Sequence, residues 1–430
     1  MFRFNILVYI FISIASLGAL DVPLRYIQDD SSLRRGLLNT WFNETPSVVL
    51  AKKPLITTLP GGDRIQIRTE TNQQEFAVVL AREYNGSYPG WAQGSWILTR
   101  QKNTGTIEQI RVFLRSDPYV YVQFRPFSTE KCVMDVVVYD AYVIYAQPLP
   151  FSMERMLVLP VEEAISIIGA RFPRKYFEPE PGIYQDMRTF VLNVRKSLPE
   201  LQFDSDGAID ESGLYVYIAN LEPQQGDGGL NCSGFAKWLI DGILRPLTGE
   251  RLSIPPLKEP FGSRGSSFTE PFEKARDPFF GLDWTRNLAA TVFRTIYGTS
   301  PALSDELEVR KSPFSQITVR NNGKRAIQSY PNFLMNAGFS FEGIQPLLYT
   351  LAIDEPGYMY LASVNNDGGS PSMRTHFHVA ALIPYFDERG IFQITVFESV
   401  EETSFNHFKN RYPGHFVNLV RVPIEGFFDP

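Results

Sequence analysis

The sequence predicts an α+β protein, with a β-rich N-terminal module followed by an α+β domain that carries a long insertion. Short runs of β-branched and aromatic residues fill the chain to about residue 160, helical patterns follow, and strand-like runs return after Pro356. A length of 430 residues allows two or three domains. We divide the chain into a signal peptide (1–19), the β-rich module (20–160) and the α+β domain (161–430).

Composition and charge exclude several classes of protein. Hydrophobic residues make up 44% and charged residues 20% of the chain, and these values argue against a disordered chain, collagen or a coiled coil. A net charge of −6 without a basic run argues against nucleic acid as a partner. Two cysteines and four histidines exclude a disulfide framework and leave few residues for a metal or nucleophile site. We expect no metal and no cofactor.

The N-terminus has the pattern of a secretory signal peptide. Arg3 precedes the apolar run Ile6–Ala15, small residues follow, and Asp21 ends the segment. A membrane-spanning helix needs about 20 apolar residues, so we expect cleavage after Gly18 or Ala19 and no stable membrane span afterwards. An uncleaved anchor is the alternative. The mature protein is predicted to reach the periplasm, the cell envelope or the extracellular space.

Alternating patterns and turn signals define the N-terminal module. A short helix is expected around Ser31–Phe42, and the runs after it are separated by turn signals such as Asn85-Gly86. These runs indicate an antiparallel sandwich or barrel, which either serves envelope binding or presentation or is purely structural. Strands are expected at Arg64–Arg68, Glu75–Leu80, Trp96–Leu98, Ile110–Leu114, Tyr119–Phe124 and Met134–Tyr139.

The rest of the chain mixes helices with strands. The stretch 245–332 is rich in Pro, Gly, Ser and Arg, and we expect a long insertion there with one helix near Trp284–Tyr297. Helices are expected at Glu162–Ala170 and Gln185–Leu198, and strands at Tyr358–Val364, His376–Tyr385, Ile391–Glu398 and Phe416–Val422.

Cys232 lies at the predicted start of a helix. A glycine-rich approach leads to Asn231, a good N-cap residue, and apolar residues then recur at helical spacing. Lys237 and Asp241 are four positions apart and are expected on the polar face. Free N–H groups and the helix dipole stabilise a thiolate at such a position. Three roles remain open for this cysteine: a nucleophile, a disulfide partner of Cys132, or an inert core residue.

A predicted hairpin brings a histidine close to an acidic residue. His378 lies near the start of the strand His376–Tyr385, and Glu398 ends the next strand, so the two are expected to be neighbours. A carboxylate bonded to one imidazole nitrogen orients the other nitrogen toward a nucleophile. His376 shares a strand face with His378, which leaves a zinc pair as an alternative.

Taken together, these motifs resemble the papain-like NlpC and CHAP superfamily of bacterial cysteine peptidases and amidases. The resemblance covers about 204–422 and implies a papain-like fold for that part of the chain. It also implies that Cys232 is the nucleophile, His378 the general base and Glu398 the orienting residue. The matching segments are Asn231–Phe235, Glu355–Gly357, His378–Ala380 and Thr395–Glu398.

The same resemblance implies cleavage of amide bonds in peptidoglycan peptides. The oxyanion would be held by the Cys232 N–H and by one side chain, for which Gln225 or Gln224 is the candidate. The CHAP branch usually has a polar residue two places after the acidic one, where this chain has Val400. A noncatalytic envelope or surface protein that keeps the papain-like fold for binding is the alternative function.

Overall fold

Helices and antiparallel sheets both contribute to the fold. The computed structural model describes residues 21–27, 29–262, 277–299, 305–321, 324–368 and 373–430. The predicted signal peptide and parts of the predicted insertion lie outside these residues. The structure is 31% helical and 33% strand, and its sheets are large and antiparallel. The α+β class predicted from the sequence is therefore confirmed.

The elements are numbered in chain order. The strands are β1 (Leu55–Thr58), β2 (Arg64–Thr71), β3 (Glu75–Arg82), β4 (Trp96–Gln101), β5 (Ile107–Val112), β6 (Val120–Pro126), β7 (Cys132–Val138), β8 (Ala141–Leu149), β9 (Gly207–Ile209), β10 (Tyr215–Tyr217), β11 (Gln316–Asn321), β12 (Lys324–Ser329), β13 (Phe339–Ser340), β14 (Tyr358–Gly368), β15 (Met373–Phe386), β16 (Phe392–Glu398), β17 (Glu401–Ser404) and β18 (Phe416–Pro423). The α-helices are α1 (Ser31–Leu37), α2 (Pro46–Leu50), α3 (Met153–Met156), α4 (Val161–Ile168), α5 (Gln185–Ser197), α6 (Cys232–Thr248), α7 (Phe280–Tyr297), α8 (Ile344–Asp354) and α9 (Phe405–Arg411). A π-helical turn, Leu38–Phe42, continues α1, and short 3₁₀ helices lie at Leu24–Tyr26, Gly169–Arg171, Arg174–Phe177, Pro181–Tyr184, Leu198–Glu200, Pro255–Lys258 and Phe341–Gly343.

A ten-stranded sheet occupies the N-terminal part of the chain. Strands β1 to β8 follow one another in space as in sequence, and β11 and β12 extend the sheet beyond β8. Gln316 of β11 pairs with Tyr142 of β8. The predicted insertion therefore supplies two strands of this sheet, and the predicted boundary at residue 160 does not separate the sheets. The insertion also begins inside α6, and its expected helix is α7.

Side-chain alternation along β6 shows how this sheet is packed. Val120, Val122 and Phe124 are buried in the main hydrophobic core, which continues into the C-terminal part of the chain. Tyr121 points to the opposite face, where it belongs to a small separate cluster with Phe113. The two-residue period of a strand accounts for both placements.

A six-stranded antiparallel sheet with the order β13-β18-β14-β15-β16-β17 forms the C-terminal part. Helix α6 contacts β9, β15, β16 and helix α7, and α7 in turn contacts β14, β15 and β18. The helix that begins at Cys232 is thus held between a second helix and the strand that carries His378.

Among the helices in the described part of the chain, none combines the length and the apolar character that a membrane span requires.

The polar face expected on α6 is absent. Lys237 and Asp241 are both buried, and Lys237 Nζ donates a hydrogen bond of 2.7 Å to Asp241 Oδ2. The other carboxylate oxygen accepts from the Leu252 N–H at 2.8 Å. The prediction of a solvated pair was wrong because every residue from Ser233 to Leu244 is buried. The two opposite charges satisfy each other inside the protein.

Candidate active site

A cleft of about 550 Å³ opens beside the first turn of α6. One side is formed by α6 and β15, and the other by the segment around β9 and β10. Its lining mixes aromatic, polar and charged side chains. The lining includes Phe203, Asp206, Ile218, Asn231, Cys232, Ser233, Lys258, Asp277, Phe280, Phe377, His378 and Ser399.

Local hydrogen bonds fix Cys232 at the start of α6. Asn231 is the N-cap, as predicted, and its side-chain oxygen accepts from the Gly234 N–H at 2.7 Å. Trp284 of α7 donates its ring N–H to the Ser233 carbonyl at 2.9 Å. Cys232 is therefore the first residue of a helix whose first turn is hydrogen-bonded to a neighbouring helix. Its thiol lies at the positive end of the helix dipole.

Gly234 allows α6 to approach β9 closely. A Cβ placed on Gly234 would lie 1.9 Å from the carbonyl oxygen of Gly207, a distance that no side chain tolerates. The Asn231 N–H donates to the same carbonyl at 2.9 Å. The position of Cys232 thus depends on the backbone contact between α6 and β9.

Gly234→Ala is expected to displace the first turn of α6 and to lower the free energy of unfolding by about 2 kcal/mol or more, because the methyl group overlaps a backbone oxygen. Gly36→Ala is the matched control, since Gly36 also lies in a helix and a Cβ there meets nothing within 4 Å. The midpoints of urea unfolding measure the difference. Equal midpoints for the two variants would contradict the close contact.

A β-bulge separates the two histidines of β15. His378 pairs with Val364 of β14 and His376 pairs with the next residue, Asn365, so the register shifts between them. A bulge bends its strand and redirects side chains. His378 lies beside Cys232 and Glu398, whereas His376, which also borders the cleft, is buried and bonded to other groups.

His376 is held as a neutral structural residue. Its Nε2–H donates to the Asn336 carbonyl at 2.9 Å, and its Nδ1 lies 2.8 Å from Ser363 Oγ and accepts from it. Burial lowers the pKa of His376 to about 3. Both ring nitrogens are engaged, so the zinc pair left open by the sequence has no free His376 nitrogen. Over the described ranges, no group of three His, Cys, Asp or Glu side chains could hold a metal ion.

The structure brings the three predicted residues together. His378 Nε2–H donates to Glu398 Oε2 at 2.6 Å. Cys232 and His378 both line the cleft and lie close enough for each to shift the pKa of the other. Because Nε2 is engaged by Glu398, Nδ1 is the ring nitrogen that is left for the sulfur. His378 is 13% exposed and Glu398 1% exposed, so the pair lies at the inner end of the cleft with the imidazole reachable from solvent.

The pKa values of the three groups shift in a consistent pattern. Burial raises the pKa of Cys232, but hydrogen bonds from His378 and the Val379 N–H and the charge on His378 outweigh it, and the net pKa is lowered. Burial lowers the pKa of His378, yet hydrogen bonds and charges of Cys232 and Glu398 raise it to about 9. Burial raises the pKa of Glu398, and His378 and Arg411 together bring it below its usual value. The lowered pKa of the thiol and the raised pKa of the imidazole are both shifts in the direction that favours a thiolate–imidazolium pair.

The two glutamines predicted as oxyanion donors do not line the cleft. Gln224 uses both N–H groups of its amide, which donate to the carbonyls of Val216 and Gly229 at 3.0 Å each. Its oxygen accepts from the Gly229 N–H at 2.7 Å. Gln225 is exposed and lies outside the cleft lining. The amide of Gln224 is thus bonded within the glycine loop, and the structure does not place either glutamine beside Cys232 in the cleft, as the sequence had predicted.

Two residues next to the site carried no signal in the sequence. The guanidinium of Arg411, the last residue of α9, is paired with Glu398 Oε1, and the Tyr412 ring lies 6.0 Å from the His378 ring, centre to centre. No motif marks either position. The apolar spacing of Phe405 and Phe408 would at most have suggested the helix that carries them.

Both cysteines are free thiols. Cys132 is the first residue of β7, where it pairs with Leu149 of β8, and burial raises its pKa to about 11. The disulfide with Cys232, which the sequence left open, is not formed in the structure. Of the two thiols, only Cys232 lines the cleft and has a lowered pKa.

Comparison with known proteins gives one match. Residues 23–176 match the family model described as a domain of unknown function (DUF8515). No curated protein and no solved structure matches the chain. The matched range covers the first eight strands of the ten-stranded sheet and ends before β9. The chain is thus similar to this family over its N-terminal part, and Cys232, His378 and Glu398 all lie outside the match.

Proposed function

We propose that the protein is an exported cysteine hydrolase of the papain-like NlpC/CHAP type that cleaves amide bonds in peptidoglycan peptides. The observation that carries the proposal is that Cys232 at a helix start and His378, which is hydrogen-bonded to Glu398, line the same open cleft and shift each other's pKa. A nucleophile, a base and a group that orients the base are the parts that acyl transfer requires.

The surrounding architecture also supports a papain-like domain. The nucleophile begins a helix, and that helix packs against the strand of an antiparallel sheet that supplies the histidine. The order of the motifs along the chain is Cys232, then His378, then Glu398. Fold similarity alone does not establish activity, so the proposal depends on the chemistry of these three side chains.

The proposed reaction begins with attack of the Cys232 thiolate on the amide carbonyl. The His378 Nδ1–H then donates its proton to the leaving amine as the C–N bond breaks, and an acyl-thioester remains. The neutral imidazole next takes a proton from water, whose oxygen attacks the thioester and releases the acid and the thiolate. Glu398 keeps the imidazole ring in place and stabilises its positive charge in both steps.

The oxyanion would be stabilised by the first turn of α6. The Cys232 N–H lies at the positive end of a helix of 17 residues, where N–H groups have no partner within the helix. Gln224 is bonded within the glycine loop and Gln225 does not line the cleft, so we assign this role to the helix terminus. The arrangement needs no metal ion to hold the developing negative charge.

The cleft walls suit a short peptide of mixed polarity. Phe203 and Phe377 present aromatic surface, with 62% and 37% of each residue exposed. Asp206 and Lys258 add charges of both signs to the lining. Peptidoglycan peptides carry apolar, acidic and amine-bearing residues together. The predicted signal peptide supports a substrate outside the cytoplasm.

Mass spectrometry of digested peptidoglycan tests the proposal. The purified mature chain is expected to release peptides with new amino and carboxyl ends from intact sacculi. Isolated stem peptides serve as a second substrate, in case the intact wall limits access. If neither substrate is cleaved by a preparation in which iodoacetamide alkylates Cys232 readily, the cell-wall substrate is wrong.

Amide hydrolysis is expected to follow a bell-shaped pH profile. Activity rises as the pH passes the lowered pKa of Cys232, because the thiolate forms there, and it falls as His378, with a pKa of about 9, loses the proton that the leaving amine needs. Iodoacetamide alkylation of Cys232 needs only the thiolate. Its rate should therefore rise with pH as the thiolate forms, which we call the acid limb, and it should not fall again at alkaline pH. Hydrolysis that declines already between pH 6 and 7 would contradict the raised pKa of His378.

A further inference from the structure

Glu398 is held from two sides. Its Oε2 accepts the hydrogen bond from His378 at 2.6 Å, and its Oε1 is paired with the guanidinium of Arg411. The Glu398 side chain is only 1% exposed, while the Arg411 side chain is 35% exposed. The rotation of a carboxylate is fixed when both oxygens are engaged, so the direction of the oxygen facing His378 depends on Arg411.

The turn that follows Glu398 carries an apolar residue. Ser399 and Val400 form the two-residue turn between β16 and β17, with positive φ angles of 46° and 64°. A valine in this left-handed region is unusual. Val400 stands where the CHAP branch usually has a polar residue. The cation that is paired with Glu398 comes from α9, which lies farther along the chain.

Helix α9 is built to place Arg411 at this point. Ser404 caps the helix by accepting from the His407 N–H at 3.2 Å. Phe408 is buried and packs against Phe341 with tilted rings, whose centres are 5.5 Å apart. The Arg411 guanidinium also lies 5.3 Å from the centre of the Tyr412 ring. These contacts anchor the helix end, so the cation is held beside the carboxylate by several groups.

We infer that Arg411 is a positioning residue of the site: its guanidinium holds Glu398 in the orientation in which the carboxylate supports the His378 imidazolium. This inference rests on the proposed function of the Cys232–His378 pair. Arg411 does not line the cleft and therefore acts through Glu398. The chemistry of substrate cleavage stays with Cys232 and His378.

A second ion pair on the same hairpin provides a matched control. Arg195 of α5 donates to both carboxylate oxygens of Glu402 in β17 at 2.6 Å. This pair is more exposed, at 40% and 33%, and neither member touches the three site residues. Loss of an exposed ion pair has little effect on stability. A variant of Arg195 thus removes a cation from the neighbourhood without touching Glu398.

Arg411→Gln, Arg411→Lys and Arg195→Gln test the inference in the mature chain. For Arg411→Gln we expect kcat for amide hydrolysis to fall about tenfold to a hundredfold with little change in KM, because the imidazole is misplaced and the cleft lining is intact. The acid limb of Cys232 alkylation should move to higher pH. Without the cation Glu398 protonates more readily and supports the His378 imidazolium less, and the imidazolium in turn lowers the pKa of Cys232 less. Arg411→Lys keeps the charge but loses the planar fork, so it should restore the acid limb in part.

The outcomes separate the inference from the function on which it rests. If wild-type Cys232 is reactive and Arg411→Gln matches Arg195→Gln in both kcat and the acid limb, Arg411 is a surface cation only and the inference is overturned. If wild-type Cys232 is no more reactive than an ordinary thiol, the proposed function itself falls. Arg411→Lys provides the decisive comparison where Arg411→Gln fails to fold.

Discussion

Cys232→Ala is expected to reduce peptide release from peptidoglycan to the uncatalysed background, a loss of about 10⁴-fold or more. The thiol is the nucleophile in the proposed reaction, and alanine has no group that could attack the carbonyl. The helix itself should remain, because alanine is a good helix former and Cys232 is not the N-cap. The rate of appearance of new amino groups, measured on sacculi, checks the result.

Cys132→Ala is the control for this variant. Cys132 is buried in β7 and its pKa is raised to about 11, so its thiol is not reactive. We expect unchanged peptide release and a loss of about 1 kcal/mol in the free energy of unfolding from the small cavity. Peptide release that survives in Cys232→Ala and disappears in Cys132→Ala would reverse the assignment of the two thiols.

His378→Ala is expected to lower kcat by about 10³-fold to 10⁴-fold, because the variant lacks the proton donor for the leaving amine. It also lacks the positive charge that lowers the pKa of Cys232. An ordinary thiol with a pKa near 8.5 is only about 3% ionised at pH 7. Alkylation of Cys232 at pH 7 should therefore slow by on the order of tenfold or more in this variant.

His407→Ala provides the comparison for the histidine variant. His407 is exposed on α9 and contributes its backbone N–H, not its ring, to the helix cap. Both hydrolysis and alkylation should match those of the wild type. A His378→Ala enzyme that keeps wild-type alkylation at pH 7 would show that the thiolate is stabilised by the helix terminus alone.

Local patterns in the sequence were sufficient for much of the fold. The strands of the N-terminal module alternate apolar and polar residues, and each predicted strand overlaps an observed one, as Glu75–Leu80 does with β3. Asn85 and Gly86 adopt the positive φ angles that a tight turn needs. Strands β11 and β12 were missed because they lie in a Pro- and Gly-rich stretch and join the sheet through contacts with β8, far away in the sequence.

Short-range patterns in the sequence were sufficient to predict three residues of the candidate site, but not the contacts that depend on tertiary packing. Asn231 and the helical spacing placed Cys232 at a helix start, and the hairpin register placed His378 near Glu398. The bulge in β15 could not be foreseen, because no glycine or turn signal marks it. Arg411 reaches Glu398 through tertiary packing of α9, which local patterns do not encode.

The role assigned to the glutamines failed for a related reason. Gln224 precedes the cysteine at a plausible distance, but the direction of its side chain is set by the fold of the glycine loop. Gly228 adopts a positive φ of 68°, which turns the chain there. Spacing along the sequence therefore located the loop correctly without determining which group its side chains would bind.

The most direct test of the central claim is the site of alkylation in the mature protein exposed to limiting iodoacetamide at pH 6, read by peptide mass spectrometry. At this pH an ordinary thiol is less than about 1% ionised. The thiolate–imidazolium pair predicts rapid modification of Cys232 and none of Cys132. Equal and slow modification of both cysteines, or none at Cys232, would contradict an activated nucleophile at the start of α6.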